Sequence, residues 1–210
     1  MHPGDSKEAV TARRRFLERE FLEGPRLEVP GAVLDVGCGE GFYLHRMNAI
    51  EKHGVDISVP AIDLAAKKYK DCIFVVANAD RFLPYADNSF DTVTSITARM
   101  NPPEFHRVLK EDGRAVIVLP GPDDLIELRE AVLGEGKVID RVERTVKEFA
   151  GFAMGKHEPL TKKVRLDRDA IHDVMSSSYR GLRTKQRERL SALADLDVTL
   201  SRDVITFYRS

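Results

Sequence analysis

Two cysteines in 210 residues, Cys38 and Cys72, are too few for a disulfide framework or a four-thiolate zinc site. A reducing cytoplasm is the expected location. No stretch reaches the roughly 18 apolar residues of a membrane-spanning helix. The opening, MHPGDSKEAV, lacks the apolar segment of a signal peptide. Charge of one sign is also missing: 33 Lys and Arg against 34 Asp and Glu give a formal net charge of −1. Bulk electrostatics therefore favours no nucleic-acid partner. The six histidines, at 2, 45, 53, 106, 157 and 172, show no metal-ligand spacing and read as surface or core positions. No structural metal is expected. There is no internal repeat and no low-complexity tract.

What is present is a rhythm. The composition is 42% apolar, enough for one α/β domain. A first helix starts at Asp5 or Ser6, carries Val10, Ala12, Phe16, Leu17 and Phe21, and stops at Gly24-Pro25. Apolar runs then alternate with helical stretches. Strands are expected at 32–36, 53–57, 72–77, 90–96 and 114–120, and helices at 41–47, 60–69 and 102–110. Near-continuous apolar strands between helices imply a parallel sheet covered on both faces. After Pro120 the rhythm changes. Residues 123–133 read as helix, and 134–159, with four glycines and much charge, as an irregular or helical insertion. An added strand is expected at 161–167, and helices at 168–176 and 185–196. The end, DVTLSRDVITFY, reads as two strands around Ser201-Arg202-Asp203, an antiparallel hairpin closing the sheet. The expected division is a helical segment at 1–30, a binding core at 31–120, an inserted lobe at 121–185, and a closing helix and hairpin at 186–210.

The informative stretch is VLDVGCGEGFY, residues 33–43: a buried strand ending in an aspartate, then three glycines in five residues. Such a turn lets a ligand come close to the main chain. It has no Gly-Lys-Ser/Thr, so it is not a Walker loop. It departs from GxGxxG as well, because Phe42 stands where the third glycine belongs. With no basic residue in the loop, a phosphate ligand is disfavoured. Asp56 lies 19 residues after Gly37, at the end of the second strand, where a carboxylate can accept hydrogen bonds from ribose hydroxyls.

The combination Asp35-x-Gly37-x-Gly39-x-Gly41, strand, Asp56 resembles the class I S-adenosylmethionine-dependent methyltransferases from about Ala32 to Leu119. That resemblance implies a Rossmann-like seven-stranded α/β sheet, five parallel strands plus a C-terminal antiparallel hairpin, with a small inserted lobe. It implies S-adenosyl-L-methionine as cofactor. Asp35 would hold the ammonium end, Gly37, Cys38 and Gly39 would lie against the cofactor, and Asp56 would take the ribose. Ala79 and Asp80 would flank the adenine, Ile57 would cover one of its faces, and Ser95 would face the sulfonium. Four further stretches, GDSKEAVTARRRFLE (4–18), LDVGCGEGFY (34–43), LPGPDDLIEL (119–128) and the last forty or so residues, are similar to the bacterial large-subunit (23S) rRNA guanine-N1 methyltransferases. Those enzymes carry an N-terminal zinc ribbon for RNA recognition, and the two cysteines here do not match it.

Other features weigh less. NPPEF (101–105) is near the Asn-Pro-Pro-aromatic motif of DNA amino-methyltransferases, but Glu104 replaces the ring. Asn101 as a helix cap before Pro102 is the better account. Cys38 reads as a small residue in a crowded turn. Thr97 and Arg99 follow the fourth strand, where acceptors sit in this family. Residues 156–190 hold ten Lys/Arg against five Asp/Glu. Arg180, Arg183, Lys185, Arg187 and Arg189 form either a solvated face or a phosphate-contacting strip. The leading function is methyl transfer from S-adenosylmethionine to rRNA guanine N1. A small-molecule acceptor and non-catalytic cofactor binding are the alternatives. No catalytic base is assigned.

Overall fold

A computed structural model of the chain describes residues 5–22, 28–29, 31–179 and 182–210. Gly24-Pro25 and Arg180 lie outside them, but the first helix already ends at Glu18, with Glu20 at φ +51 and Phe21 beyond the helix, so it is not Gly24-Pro25 that stops it. The elements run α1 (Lys7–Glu18), β1 (Ala32–Val36), α2 (Phe42–Arg46), β2 (Glu51–Asp56), α3 (Val59–Lys68), β3 (Ile73–Val76), β4 (Phe90–Ile96), α4 (Pro102–Val108) and β5 (Leu109–Pro120). There follow α5 (Ile126–Leu128), running into a π-helical turn at Arg129–Leu133, then α6 (Val142–Glu148), β6 (Phe152–Asp167), α7 (Arg168–Ser178), α8 (Thr184–Ala192) and β7 (Asp195–Arg209). The helix starts follow capping chemistry. Ser6, Ser58 and Asp167 accept from Ala9 N, Ala61 N and Ala170 N, and so begin α1, α3 and α7.

The seven strands form one sheet in the order β3-β2-β1-β4-β5-β7-β6. The first five are parallel, and β7 runs antiparallel to both its neighbours. Strand alternation divides the core: Ala115, Ile117 and Leu119 of β5 join one cluster with Leu34 and Phe207, while Val116 and Val118 join the other with Val33 and Val204.

The antiparallel pair is not a hairpin about residues 201–203. Asp195–Arg209 is one continuous strand, and its partner is β6, with α7 and α8 between the two. The polar triplet has partners in the loop after β5 and on β6 instead of a turn. Ser201 N donates to Asp124 (2.9 Å), and Asp203 contacts His157 Nε2 (2.7 Å). Residues 152–159, expected to be irregular, are the first half of β6.

The register has a further consequence. The last β5 residue, Pro120, pairs with Arg202. Residues 195–201 of β7 therefore continue, paired only with 161–167 of β6, past the C-terminal ends of the parallel strands. A second apolar core forms around this extension from Leu125, Leu128, Val132, Leu166, Ile171, Met175 and Leu190. It is the lobe that rises beside the loops of the parallel strands.

Phe149, just after α6, anchors the crossing segment. It stacks on Phe207 (ring centroids 4.3 Å, 14°) and is 1% exposed. Phe149→Ala should lower stability by about 3–5 kcal/mol, measured as a urea midpoint shift with an unchanged slope. A change below about 1 kcal/mol would mean that this segment does not close the core.

Candidate cofactor site

The loops after β1, β2, β3 and β4 meet at one edge of the sheet. Strand order reverses at β1, whose neighbours β2 and β4 lead in opposite directions. A crevice at such a switch point, outside the carboxyl ends of the strands, is the ligand position of open α/β sheets.

The glycine loop is tied down by β2. Gly37 N and Cys38 N both donate to the Val55 carbonyl (2.8 and 3.1 Å), and Gly39 N donates to Asp56 Oδ2 (2.9 Å). Gly37 has φ +75, and a Cβ there would lie 2.4 Å from the Ala98 Cβ, so both conformation and contact require glycine. The other Asp56 oxygen accepts from Ser58 N (2.7 Å). Asp56 thus stitches the loop to the β2–α3 turn while each oxygen keeps a further lone pair.

Asp35 is 2% exposed, and Thr94, directly opposite on β4, donates to it (2.7 Å). Burial pushes its carboxyl up to about 7; the Thr94 bond opposes this, and the nearby Asp56 and Glu40 charges add to it. Glu40 is 2% exposed, its carboxyl is also raised by burial, and its Oε1 is buried without a hydrogen-bond partner among the described residues. Burial lifts the Cys38 thiol well above its usual value, which makes it a packing residue and not a nucleophile.

Across the crevice, Asn101 does not cap α4 with its side chain. It donates to the Ala79 carbonyl (2.9 Å) and so ties the loop after β4 to the loop after β3. Arg99 Nη1 faces Asp80 (3.6 Å) across the same gap. Ile57 is 38% exposed beside Asp56, whereas Ser95 is buried, its hydroxyl toward the Arg99 carbonyl (3.4 Å). Thr97 is exposed with φ +52, an uncommon backbone state for a β-branched residue, held by its N–H to the Val118 carbonyl (2.8 Å).

The structure therefore gathers Asp35, Gly37, Cys38, Gly39 and Asp56 on one side, and Ala79, Asp80 and Arg99 on the other. Lys185 and Arg187 are exposed on α8, with Arg183 exposed just before its start, and α8 packs on the π-helical turn in the second lobe. Sequence reasoning missed Thr94, visible only through register, and Glu40, whose burial no local pattern reveals. Away from this edge, His45, Asp71 and Cys72 place ligand-type atoms within 4.8 Å of one another, but Lys52 already pairs with Asp71 (2.9 Å). Among the described residues no helix is long and apolar enough to cross a membrane.

Fold and crevice define an α/β protein with a nucleoside-type ligand site at a switch point. A family profile described as "Methyltransferase domain" matches residues 33–116. The 23S rRNA (guanine(748)-N(1))-methyltransferase of Streptomyces fradiae is 32% identical, covering 94% of this chain and 78% of its own. A Bacillus subtilis protein named as a candidate 23S rRNA (guanine-N(1)-)-methyltransferase is 31% identical over 82% of this chain, which spans 65% of that relative's length. Other relatives are named for methylation of malonyl-acyl carrier protein and of demethylmenaquinone. Among solved structures, a candidate methyltransferase from Bacillus halodurans shares the fold with a TM-score of 0.62 at 16% identity, covering 95% of this chain and 99% of its own. The chain belongs to the S-adenosylmethionine-dependent methyltransferases.

The residues present fit that cofactor. Its ammonium and sulfonium are cationic, and the crevice offers the buried Asp35 and the Glu40 oxygen that has no partner among the described residues. Its ribose needs acceptors, which Asp56 has to spare.

The Asp35 shift has a testable sign. The folded carboxyl binds its proton more tightly than the unfolded one, at about 3.8, so its stabilising effect is full below that pH and is lost as pH rises through about 7. A bound cation favours the carboxylate instead. Binding of S-adenosylmethionine near pH 7 should therefore release protons, seen calorimetrically as a dependence on buffer ionisation enthalpy, and the release should fade toward pH 9. Asp35→Asn should abolish the release and weaken binding roughly 10- to 100-fold. Wild-type binding at pH 7 without proton release would remove Asp35 from the ammonium.

Proposed function

We propose that the protein transfers the methyl group of S-adenosylmethionine to rRNA, at N1 of a guanine. The observation that carries this reading is the lobe. Its β6–β7 extension rises past the loop edge, and α8 sits on it with Arg183, Lys185, Arg187 and Arg189 exposed. Cations placed there suit a phosphate backbone whose base enters the crevice. The relatives from Streptomyces fradiae and Bacillus subtilis, whose names give that acceptor, support it over most of the chain.

The cofactor supplies a methyl group already activated on its sulfonium, so the chain's main task is positioning. In this reading Asp35, the glycine loop and Asp56 fix the methyl donor. Ile57, Ala79 and Asp80 hold the adenine, with Ser95 toward the sulfonium. Thr97 and Arg99 line the acceptor side. Thr97 is held in its strained conformation by β5 before an acceptor arrives, whereas Arg99 is an exposed side chain with only a 3.6 Å surface pair to Asp80. As N1 takes the methyl group and the sulfur keeps the electron pair of the broken S–C bond, the N1 proton passes to solvent.

A small-molecule acceptor is the second reading. The relatives named for malonyl-acyl carrier protein and demethylmenaquinone favour it.

Two measurements separate them. Nucleoside mass spectrometry of 23S rRNA from cells with and without the gene should show loss of 1-methylguanosine at one position. Arg183, Lys185 and Arg187 changed together to Glu should weaken binding to an rRNA hairpin. The log–log salt slope should fall by roughly 0.7–0.9 per lost phosphate contact. S-adenosylmethionine affinity should not change. Equal binding with equal slopes, and unchanged rRNA, would move the small-molecule reading ahead.

A further inference from the structure

The amino-acid end of the cofactor carries a carboxylate as well as an ammonium, and the glycine loop has no cation to meet it. The groups converging on the loop, Asp35, Glu40 and Asp56, are all acids. The structure brings a cation from elsewhere in the chain. Arg13 projects from α1 so that its Nη1 lies 3.8 Å from where a Cβ on Gly39 would be. Its two recorded hydrogen bonds, to Asp5 and to the Ser177 carbonyl (3.4 Å), both leave from Nη2. The Nη1 facing the loop donates to nothing among the described residues.

Two contacts set that position. Ser58, the cap of α3 beside Asp56, donates to the Asp5 carbonyl (2.9 Å), fixing the start of α1 on the β2–α3 turn. On the far side Arg15 pairs with Asp173 of α7, and Arg19 with Asp167 (2.6 Å). The helix is thus clamped over the loop from both sides. Glu40 adds a second observation: it is buried, the nearby Arg13 and Arg14 charges act on it, and its Oε1 has no donor among the described residues. A buried acceptor without a donor and a guanidinium Nη1 without an acceptor, among the described residues, complement a cationic and an anionic group.

We propose that Arg13 binds the carboxylate of the methionyl end of S-adenosylmethionine, which makes the N-terminal helix part of the cofactor site. Asp5 orients the guanidinium, and Glu40 is the open acceptor beside it for the ammonium. This rests on the cofactor assignment above.

The test compares two ligands by calorimetry. S-adenosylmethionine has the amino-acid end, and 5′-methylthioadenosine keeps the adenosine and a neutral thioether sulfur without it, so the mutant-to-wild-type ratio is compared for each ligand. Arg13→Gln should weaken S-adenosylmethionine binding roughly 10- to 100-fold, the loss of a charge-assisted pair. It should leave 5′-methylthioadenosine within about twofold of wild type, which also shows that the site has kept its shape. Arg13→Lys should recover part of the loss. Equal weakening for both ligands would make Arg13 a structural clamp and overturn the proposal, as would no weakening for either. Wild-type protein that fails to bind S-adenosylmethionine would instead overturn the cofactor assignment, and this proposal with it.

Discussion

A carboxylate at the buried end of β1 sets the terms for the rest of the site. Asp35 has one side-chain donor, Thr94, and the nearby acids Asp56 and Glu40 add to its burial. Packing like charges out of water costs stability unless something of opposite sign completes the set. A sequence selected only to fold would place an apolar residue there, as it does at Leu34 and Val36 on either side. The sheet tolerates the exception because its surroundings are fixed. Val55 and Asp56 hold the glycine loop by its amides, and the Asp35–Thr94 register holds the side chain. Local rules are broken where a ligand completes them.

The same demand for complementary charge explains the position of α1. A twelve-residue helix laid on the protein surface would gain little from its exposed ion pairs alone. Here it buries Ala9, Val10 and Ala12 and meets the second lobe through Asp173, whose side chain is 10% exposed. One helix therefore spans the lobe and the crevice, with Arg13 on the crevice side. The long β6–β7 ribbon makes this possible, because it carries α7 past the strand ends to the level of the loops.

These origins decide what could be read from the chain. The five parallel strands, the glycine loop and Asp56 were legible because each is local: an apolar run, a turn needing positive φ, a polar residue at a strand end. Ser201-Arg202-Asp203 misled because a polar triplet inside an apolar run has the composition of a turn. Its polarity comes from Asp124 and His157, which are distant in sequence. Asn101 was placed correctly at the start of α4, but its side chain goes to Ala79 instead of the helix. Arg13 was visible as one of three consecutive arginines. Which of the three faces the loop depends on how α1 docks on α7, and no pattern in residues 7–18 records that.

The near-zero net charge, at first an argument against an RNA acceptor, loses its force once the charges are located. Asp35, Glu40 and Asp56 converge on the crevice, where a cationic cofactor is expected. Their negative charge is local to the strand ends. On α8 the cations Lys185, Arg187 and Arg189, with Arg183 at its start, face a single acid, Glu188. A formal charge of −1 over the whole chain therefore conceals local regions of opposite sign. Over a Debye length of about 8–10 Å an approaching polyanion senses the nearest region and not the sum. On the proposed reading, the acidic crevice selects the methyl donor and repels bare phosphate, while the basic helix on the lobe holds the backbone away from it. A base would then be the part of the nucleic acid that reaches the acids. On that reading the segregation suits an enzyme that pairs a cationic cofactor with a polyanionic acceptor.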